Sequence, residues 1–366
     1  MRERVLYTAS APFEAARRIP AGSNASLSAP ADHPSALHGH GFQASVWAPA
    51  SAAGVADWAP FPGGEIDALR DRLQAGVAPL DYQLLNDHLA NPSDENLARW
   101  IAARLALGSA VQVGVQSTRG QGSDIDMGGI AHVWRRYQFE AAHQLPRVAA
   151  GHKCGRMHGH GFAVLLHATA VPAQALDRLW APLQAQLHHA CLNDLPGLEN
   201  PTSELIASWI WARLRPQLPQ LAWVTVYETA TCGAHFDGAA YRIWKELGFD
   251  SAVRLANAPP GDARRHVHGH SYRLLLHLTA ALDTVLGWTI DFGDVKEIFA
   301  PVFTRLDHHP LHELPGVGQS GALGIVRWVR DQAGSALPQL ERIDLYETSG
   351  CGVALSWGAQ QPALPV

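Results

Sequence analysis

Cysteine is scarce in this sequence, with four residues in 366, at Cys154, Cys191, Cys232 and Cys351, and no Cys-x-x-Cys pair. That spacing argues against a disulfide framework and against a structural zinc site of the cysteine type. Long apolar runs are missing as well. Nothing is long enough to cross a bilayer, and the two arginines in the first ten residues have no apolar stretch behind them. The expectation is a cytoplasmic protein with no membrane partner. Charge is sparse too: 17% of residues are charged and the formal net charge is -5, so no basic surplus exists to draw nucleic acid. With 47% hydrophobic residues the composition is that of a globular chain. What is abundant is histidine, 20 residues of it, the commonest metal ligand and the side chain that titrates near neutrality.

The chain is long for one core, and an internal repeat selects three domains over two. His-Gly-His occurs at His38-Gly39-His40, His158-Gly159-His160 and His268-Gly269-His270. Each copy opens a strand-like apolar run and follows a segment beginning with Phe: Phe13 to Arg17, Phe139 to His143 and Phe249 to Val253. Downstream come Leu80-Asp81-Tyr82, Leu187-His188-His189 and Leu306-Asp307-His308 near a helix end. In the first two copies a second helix starts at Asn91-Pro92-Ser93 and Asn200-Pro201-Thr202, where the hydroxyl can cap free amides. Leu97, Ile101 and Leu105, and Leu205, Ile206, Trp209, Ile210 and Leu214, give these helices an apolar face. A closing strand ends in Gln116-Ser117, Glu228-Thr229 and Glu347-Thr348. The units run over residues 1–130, 131–241 and 242–366. The Ala/Pro-rich stretches around 20–35, 48–63 and 256–265 read as loops within them.

Residues two apart on a strand share a face, so His158 and His160 can grip one ion, and His143 on the preceding strand can join them. Three neutral imidazoles leave a zinc ion an open position, the arrangement of a catalytic site. Arg17 and Val253 stand where His143 stands in the other units, so neither should bind zinc. Cys191, Cys232 and Cys351 read as buried small apolar residues.

The run Gly151-His152-Lys153-Cys154-Gly155-Arg156-Met157-His158-Gly159-His160, with Phe139 to His143 before it and Leu192 to Glu204 after it, resembles the bacterial 6-carboxytetrahydropterin synthases and their 6-pyruvoyltetrahydropterin synthase relatives. Unit two departs from their pattern in two places. It lacks the Gly-Trp-x-Ile-Asp-Phe turn and reads His188-His189 where an Asp-His pair is expected. Unit three supplies both pieces, as Gly287 to Phe292 and Asp307-His308.

The resemblance implies an α+β fold, three tandem tunnelling-fold units, each an antiparallel four-stranded sheet with two helices, closing a pseudo-trimeric β-barrel. It implies a Zn2+-dependent lyase acting on 7,8-dihydroneopterin triphosphate to give 6-carboxytetrahydropterin, acetaldehyde and triphosphate in queuosine-precursor biosynthesis. One composite site between units two and three is expected. Zinc would sit on His143, His158 and His160, with Cys154, Asp307 and His308 catalytic. Glu228 or Glu347 would hold the pterin, Gln116 having lost the charge, with Thr202 and Glu204 beside them. Cys154 has no counterpart in the other units, where Pro34 and Arg264 stand. Lys153, Arg156, Arg264 and Arg265 are candidate triphosphate contacts. A homodimer of pseudo-trimers is the expected assembly. A pyruvoyl-forming enzyme and a non-catalytic zinc- or pterin-binding scaffold are the rival readings.

Overall fold

The computed structural model describes residues 3–19, 36–50, 58–107, 111–283 and 285–358. Pro34, the stretch 20–35 and the middle of 48–63 lie outside the described residues. Unit one comprises β1 (Arg4–Arg17), β2 (His38–Pro49), α1 (Glu65–Val77), α2 (Asp94–Leu105), β3 (Gln112–Thr118) and β4 (Gln121–Ile125). Unit two repeats the order with β5 (Ala131–His143), β6 (His158–Thr169), α3 (Ala173–Leu187), α4 (Ser203–Leu214), β7 (Leu221–Thr229) and β8 (Cys232–Phe236). Unit three follows with β9 (Tyr241–Val253), β10 (His268–Thr279), α5 (Phe292–Leu306), α6 (Val317–Ala333), β11 (Leu340–Thr348) and β12 (Cys351–Ser356).

The strands form one antiparallel sheet. Within each unit the two long strands pair over their whole length, so that Arg17 faces His38, His143 faces His158 and Val253 faces His268. Short hairpins carry the ladder across unit boundaries, Ile125 opposite Ala131 and Phe236 opposite Tyr241. β12 then pairs with β1, from Ser356 opposite Arg4 to Gly352 opposite Thr8. Closure leaves no open edge for another chain to template on, and the result is the twelve-stranded pseudo-trimeric barrel of the tunnelling fold. A two-residue parallel strand, Gln83–Leu84, rests on β1 outside the ring.

Period-two alternation turns one face of each strand toward the helices. Phe139 stacks on Phe162 with centroids 5.0 Å apart, and Phe13 on Phe42 and Phe249 on Tyr272 repeat the contact at 4.9 Å. Leu176, Trp180, Leu183 and Leu187 lie on one stripe of α3 and bury against these rings. Ser93 and Thr202 cap α2 and α4 by accepting from Asn96 N and Leu205 N, as the sequence suggested. Units one and three share one continuous apolar cluster, whereas unit two keeps its own. No helix among the described residues is long and apolar enough to cross a membrane.

Candidate active site at the boundary of units two and three

The end of β5 and the start of β6 bring His143, His158 and His160 together, with one nitrogen of each within 4.8 Å of the others. His143 Nδ1 contacts the Pro201 carbonyl at 3.2 Å and His158 Nδ1 the Arg156 carbonyl at 2.7 Å. A carbonyl only accepts, so each Nδ1 carries the proton and the Nε2 lone pair is left facing inward. His143 Nε2 and His160 Nε2 then stand 3.1 Å apart, two groups of the same polarity that a shared cation would reconcile. The three imidazoles therefore fit a metal ion with an open coordination position. Burial, with the neighbouring imidazoles, pushes His143 down to about 4, which keeps it a neutral ligand; the Pro201 carbonyl opposes the shift. Among the described residues no other three-ligand cluster forms. His38 and His268 make the same Nδ1 contact as His158, to the Ala36 and His266 carbonyls, but face Arg17 and Val253 where His158 faces His143.

These ligands open onto a cavity of about 810 Å³ whose walls come from two units. Unit two gives Cys154, Glu228 and the first turn of α4. Unit three gives Trp288, Ile290, Asp291 and Phe292, from the turn that unit two lacks. Three hydrogen bonds pin this turn to its neighbour: Asn200 Nδ2 to Leu286 O at 2.6 Å, Thr202 Oγ1 to Gly287 O at 2.5 Å and Thr289 N to Glu204 Oε1 at 2.8 Å. Gly287 has φ +77°, and a Cβ there would meet Asn200 and Leu205 within 2.8 Å, so only glycine serves. Thr202 and Glu204 thus line the cavity and also hold the unit boundary. Burial pushes Glu204 up to about 7 despite the bonds from Thr289.

Glu228 Oε2 accepts from Ser203 Oγ at 2.7 Å, which aims the carboxylate. The turn carrying Cys154 is capped by His152 Nδ1, which accepts from Cys154 N at 3.2 Å. His152 in turn lies 3.6 Å from the Asp291 carboxylate. Burial, then Glu228 and Asp291, push the Cys154 thiol up, and Lys153 only partly opposes them.

Asp307 and His308 are not among the residues lining this cavity. Asp307 ends α5, and its Oδ1 accepts from Asp250 N at 3.1 Å and holds His308 Nδ1 at 2.9 Å. His308 has left-handed backbone, φ 58°, shared by Tyr82 and His189 at the same place in the other units. Its side chain is 75% exposed. Asp250 pairs with Ser271, next to His270, so the pair stands on the barrel rim that carries the histidine ends of the strands. Glu347 does not line this cavity either; it is half-buried near Asp67 and Arg70 of unit one, and desolvation pushes it up to about 7. Arg264 is engaged by Asp67 at 2.7 Å and Asp262 at 2.6 Å, so it is no phosphate contact of this site, and Arg265 holds the Ala258 carbonyl. Lys153 and Arg156 do line the cavity.

The strand register corrects one correspondence. Gln43 pairs with Gln116, Ala163 with Tyr227 and Arg273 with Tyr346. Ser117, not Gln116, is therefore the counterpart of Glu228 and Glu347. Ser117 donates to Asp94 Oδ2 at 2.7 Å, where Ser203 donates to Glu228, so the hydroxyl and carboxylate have exchanged places between strand and helix start. Cys232 and Cys351 are buried as expected, although Cys232 also touches the cavity, while Cys191 is half-buried. Sequence reasoning missed Ser203, Lys245 and Lys296 as cavity residues. Strand parity could have found Lys245, which shares a face with Phe249 four residues on.

Fold and site together define a tunnelling-fold barrel with a three-imidazole cavity at a unit boundary. The chain belongs to the 6-pyruvoyl tetrahydropterin synthase family, whose model matches residues 7–119, 132–239 and 242–356. A 6-carboxy-5,6,7,8-tetrahydropterin synthase of Synechocystis sp. is 37% identical over 119 residues, 28% of this chain and 91% of that protein. A dihydroneopterin monophosphate aldolase of Pyrococcus furiosus is 26% identical over 119 residues, 32% of this chain and 97% of that protein. The solved Caenorhabditis elegans 6-pyruvoyl tetrahydropterin synthase aligns at 17% identity and TM-score 0.28 over 32% of this chain and 95% of that one. A uricase from Bacillus fastidious aligns at 11% identity and TM-score 0.31 over 58% of this chain and 81% of that one.

Proposed function

We propose that this chain is a zinc-dependent 6-carboxytetrahydropterin synthase, a lyase that converts 7,8-dihydroneopterin triphosphate to 6-carboxytetrahydropterin, acetaldehyde and triphosphate. The observation that carries the proposal is the sharing of one cavity by the three imidazoles, Cys154 and Glu228. The similarity to the Synechocystis synthase supports the carboxy product. His143, His158 and His160 would hold zinc, which when bound supplies a Lewis acid that lowers the pKa of the substrate's side-chain hydroxyls.

Glu228, aimed by Ser203, would take the amidine-like edge of the pterin in two parallel hydrogen bonds. Cys154 would move the proton at the side-chain carbons, which requires a base to draw off its own proton first. Asp307-His308 is the candidate, Asp307 fixing the Nδ1 proton of His308 and leaving Nε2 to accept. Since the pair stands on the exposed rim and not in the cavity of its own chain, a second ring stacked face to face would deliver it. That is the physical reason to expect a homodimer of pseudo-trimers. A pterin-binding scaffold is the second reading, favoured by the separation of Asp307-His308 from Cys154 within the chain.

Zinc per chain and turnover of dihydroneopterin triphosphate, measured on the native protein, Cys154→Ala and His308→Ala, test this. About one zinc per chain with turnover abolished in both variants is the expected result. Full zinc without turnover in the native protein would establish the scaffold instead.

A further inference from the structure

Phe139 and Phe162 face the helices, so residues an odd number of steps away, such as Arg136 and Leu165, face into the barrel. The lumen holds a cavity of about 630 Å³ that shares no lining residue with the one at the boundary of units two and three. All three units contribute to its wall, as with Ser45, Arg136, His167 and Arg273.

In unit three the lumen groups satisfy one another. Arg273 of β10 donates to both carboxylate oxygens of Glu246 of β9, at 2.8 and 2.7 Å. One layer deeper, His277 Nε2 meets Asp344 at 3.1 Å, and Arg342 holds both oxygens of the same carboxylate. Unit two keeps the bases and lacks the acids. Arg136 lies opposite Leu165 as Glu246 lies opposite Leu275, and Ala163 lies opposite Tyr227 as Arg273 lies opposite Tyr346. An arginine and an alanine therefore stand where unit three has its ion pair. His167 likewise holds the place of His277, but Thr225 stands for Asp344, and the Thr225 hydroxyl is bonded to His235. His167 is 1% exposed, and neither of its ring nitrogens has a hydrogen-bond partner. A neutral imidazole has one N–H to donate and one lone pair to fill, so both are left desolvated and unserved. Stacking on Trp223, with centroids 4.5 Å apart, fixes the plane of the ring.

At the mouth of the cavity Arg136 is exposed and lies over the Tyr227 ring at 4.6 Å. Arg119 stands beside it in the turn between β3 and β4, since Arg136 N donates to the Gly120 carbonyl. Among the described residues neither guanidinium is in an ion pair. The carboxyl on this wall, Asp124, accepts from Trp134, and burial pushes it up to about 7, so near neutrality it does not cancel the two cations.

We propose that the lumen is a second ligand site, one that takes a flat aromatic carboxylate. Arg119 and Arg136 receive the carboxylate at the mouth, Tyr227 and Trp134 flank the ring, and His167 hydrogen-bonds its far edge. A guanidinium fork matches a carboxylate in two parallel bonds, and a barrel mouth with aromatic walls and a few convergent polar groups is where such ligands lodge. Trp134 and His167 pair two residues below Arg136 and Leu165, roughly 7 Å along the strands, the reach of a fused two-ring acid. A bare inorganic anion would serve the arginines and leave His167 unserved. The inference stands apart from the lyase reading, because none of these residues lines the boundary cavity.

Calorimetric titration of quinoline-6-carboxylate into the native, zinc-loaded chain tests this, with quinoline and orthophosphate as the ring and the anion alone. Saturable binding of the acid is expected, with each part alone at least ten-fold weaker. Arg136→Gln changes an exposed side chain and should weaken binding of the acid ten-fold or more, and His167→Phe at least three-fold. His143→Arg, which disables the metal centre, should leave the affinity unchanged. Binding that survives both Arg136→Gln and His167→Phe, or that vanishes with His143→Arg, places the acid elsewhere and overturns the proposal. Orthophosphate binding as tightly as the acid overturns it too, as does no binding at millimolar acid, which leaves the buried nitrogens to water alone.

Discussion

The boundary between units one and two and the boundary between units two and three are built from corresponding positions, yet one is filled and the other is open. The first encloses about 30 Å³, the second about 810 Å³. In the first, Arg17 replaces His143 and donates to the Pro92 carbonyl at 3.0 Å, as His143 does to Pro201. Arg17 also pairs with Asp94 at 2.7 Å. From Asp94 a polar chain runs through Ser117, Gln121 and Arg135 to Asp177 and Tyr137. Its counterparts at the open boundary are Ser203, Glu228, Cys232, Lys245 and Lys296; Ser203 and Glu228 bond to each other, but the chain stops there and all five line the cavity. The duplicated site was therefore not simply lost. Its place is taken by a network of hydrogen bonds and ion pairs, which closes the barrel seam without a ligand. At the boundary of units three and one, Arg264 with Asp67 and Asp262 serves a similar purpose.

His143→Arg carries the filled boundary's residue into the open one and should have the largest effect. Metal content should fall to near zero and turnover by about a thousand-fold or more, the worth of several kcal/mol of lost charge stabilisation. Metal analysis alongside the assay checks this, and a variant that keeps its zinc would break the comparison. Mixing Cys154→Ala with His308→Ala chains, unfolding and refolding them together, should restore turnover from two inactive parents, because a mixed dimer holds one site with both groups. No recovery would place the Asp-His contribution within a chain.

The reciprocal change, Arg17→His, should not create a metal site, since Asp94 and Gln121 still occupy the space. It should cost about 3–5 kcal/mol by leaving Asp94 buried without its cation, read as a drop in thermal midpoint. Gain of a second zinc would show the filled boundary to be mere decay. The smallest effect concerns pH. Unfolded Glu204 releases its proton near 4.5, while the folded protein holds it to about 7. Its contribution is full below pH 4.5 and is lost as pH rises to 7, by linkage up to about 3 kcal/mol. Glu204→Gln keeps an acceptor for Thr289 and should flatten that decline in denaturant titrations; an unchanged slope would assign it to other groups, such as Glu347.

Much of the site was legible because its signals are local. His158-Gly159-His160 needs only strand parity and Thr202 only its position ahead of an apolar helix, while Cys154 was marked by the family resemblance of the run Gly151 to His160. The Gly287 to Phe292 turn was legible as the piece unit two lacks, and it does wall unit two's cavity; the bonds that pin it to Asn200, Thr202 and Glu204 were not legible, because they depend on the barrel bringing two units face to face. Gln116 was equated with Glu228 because both precede a hydroxyl residue, and a register is a property of pairing, which one strand does not contain. Asp307-His308 was placed beside Cys154 by complementarity of motifs. The pair follows the edge of β9 to the rim, where Asp250 holds it.

The sequence by itself determined that there are three like units, that only unit two carries a full set of imidazoles, and that the thiol belongs with them. The first two follow from side-chain type and short-range period, which each segment holds alone, and the third from the family resemblance of the run Gly151 to His160. Only the tertiary structure decided how the open boundary is pinned, which carboxylate points into it, and that the chain's few lysines meet there. Those depend on strand pairing and on contacts between residues some 85 positions apart, and no local pattern encodes what will stand on the other side of a seam.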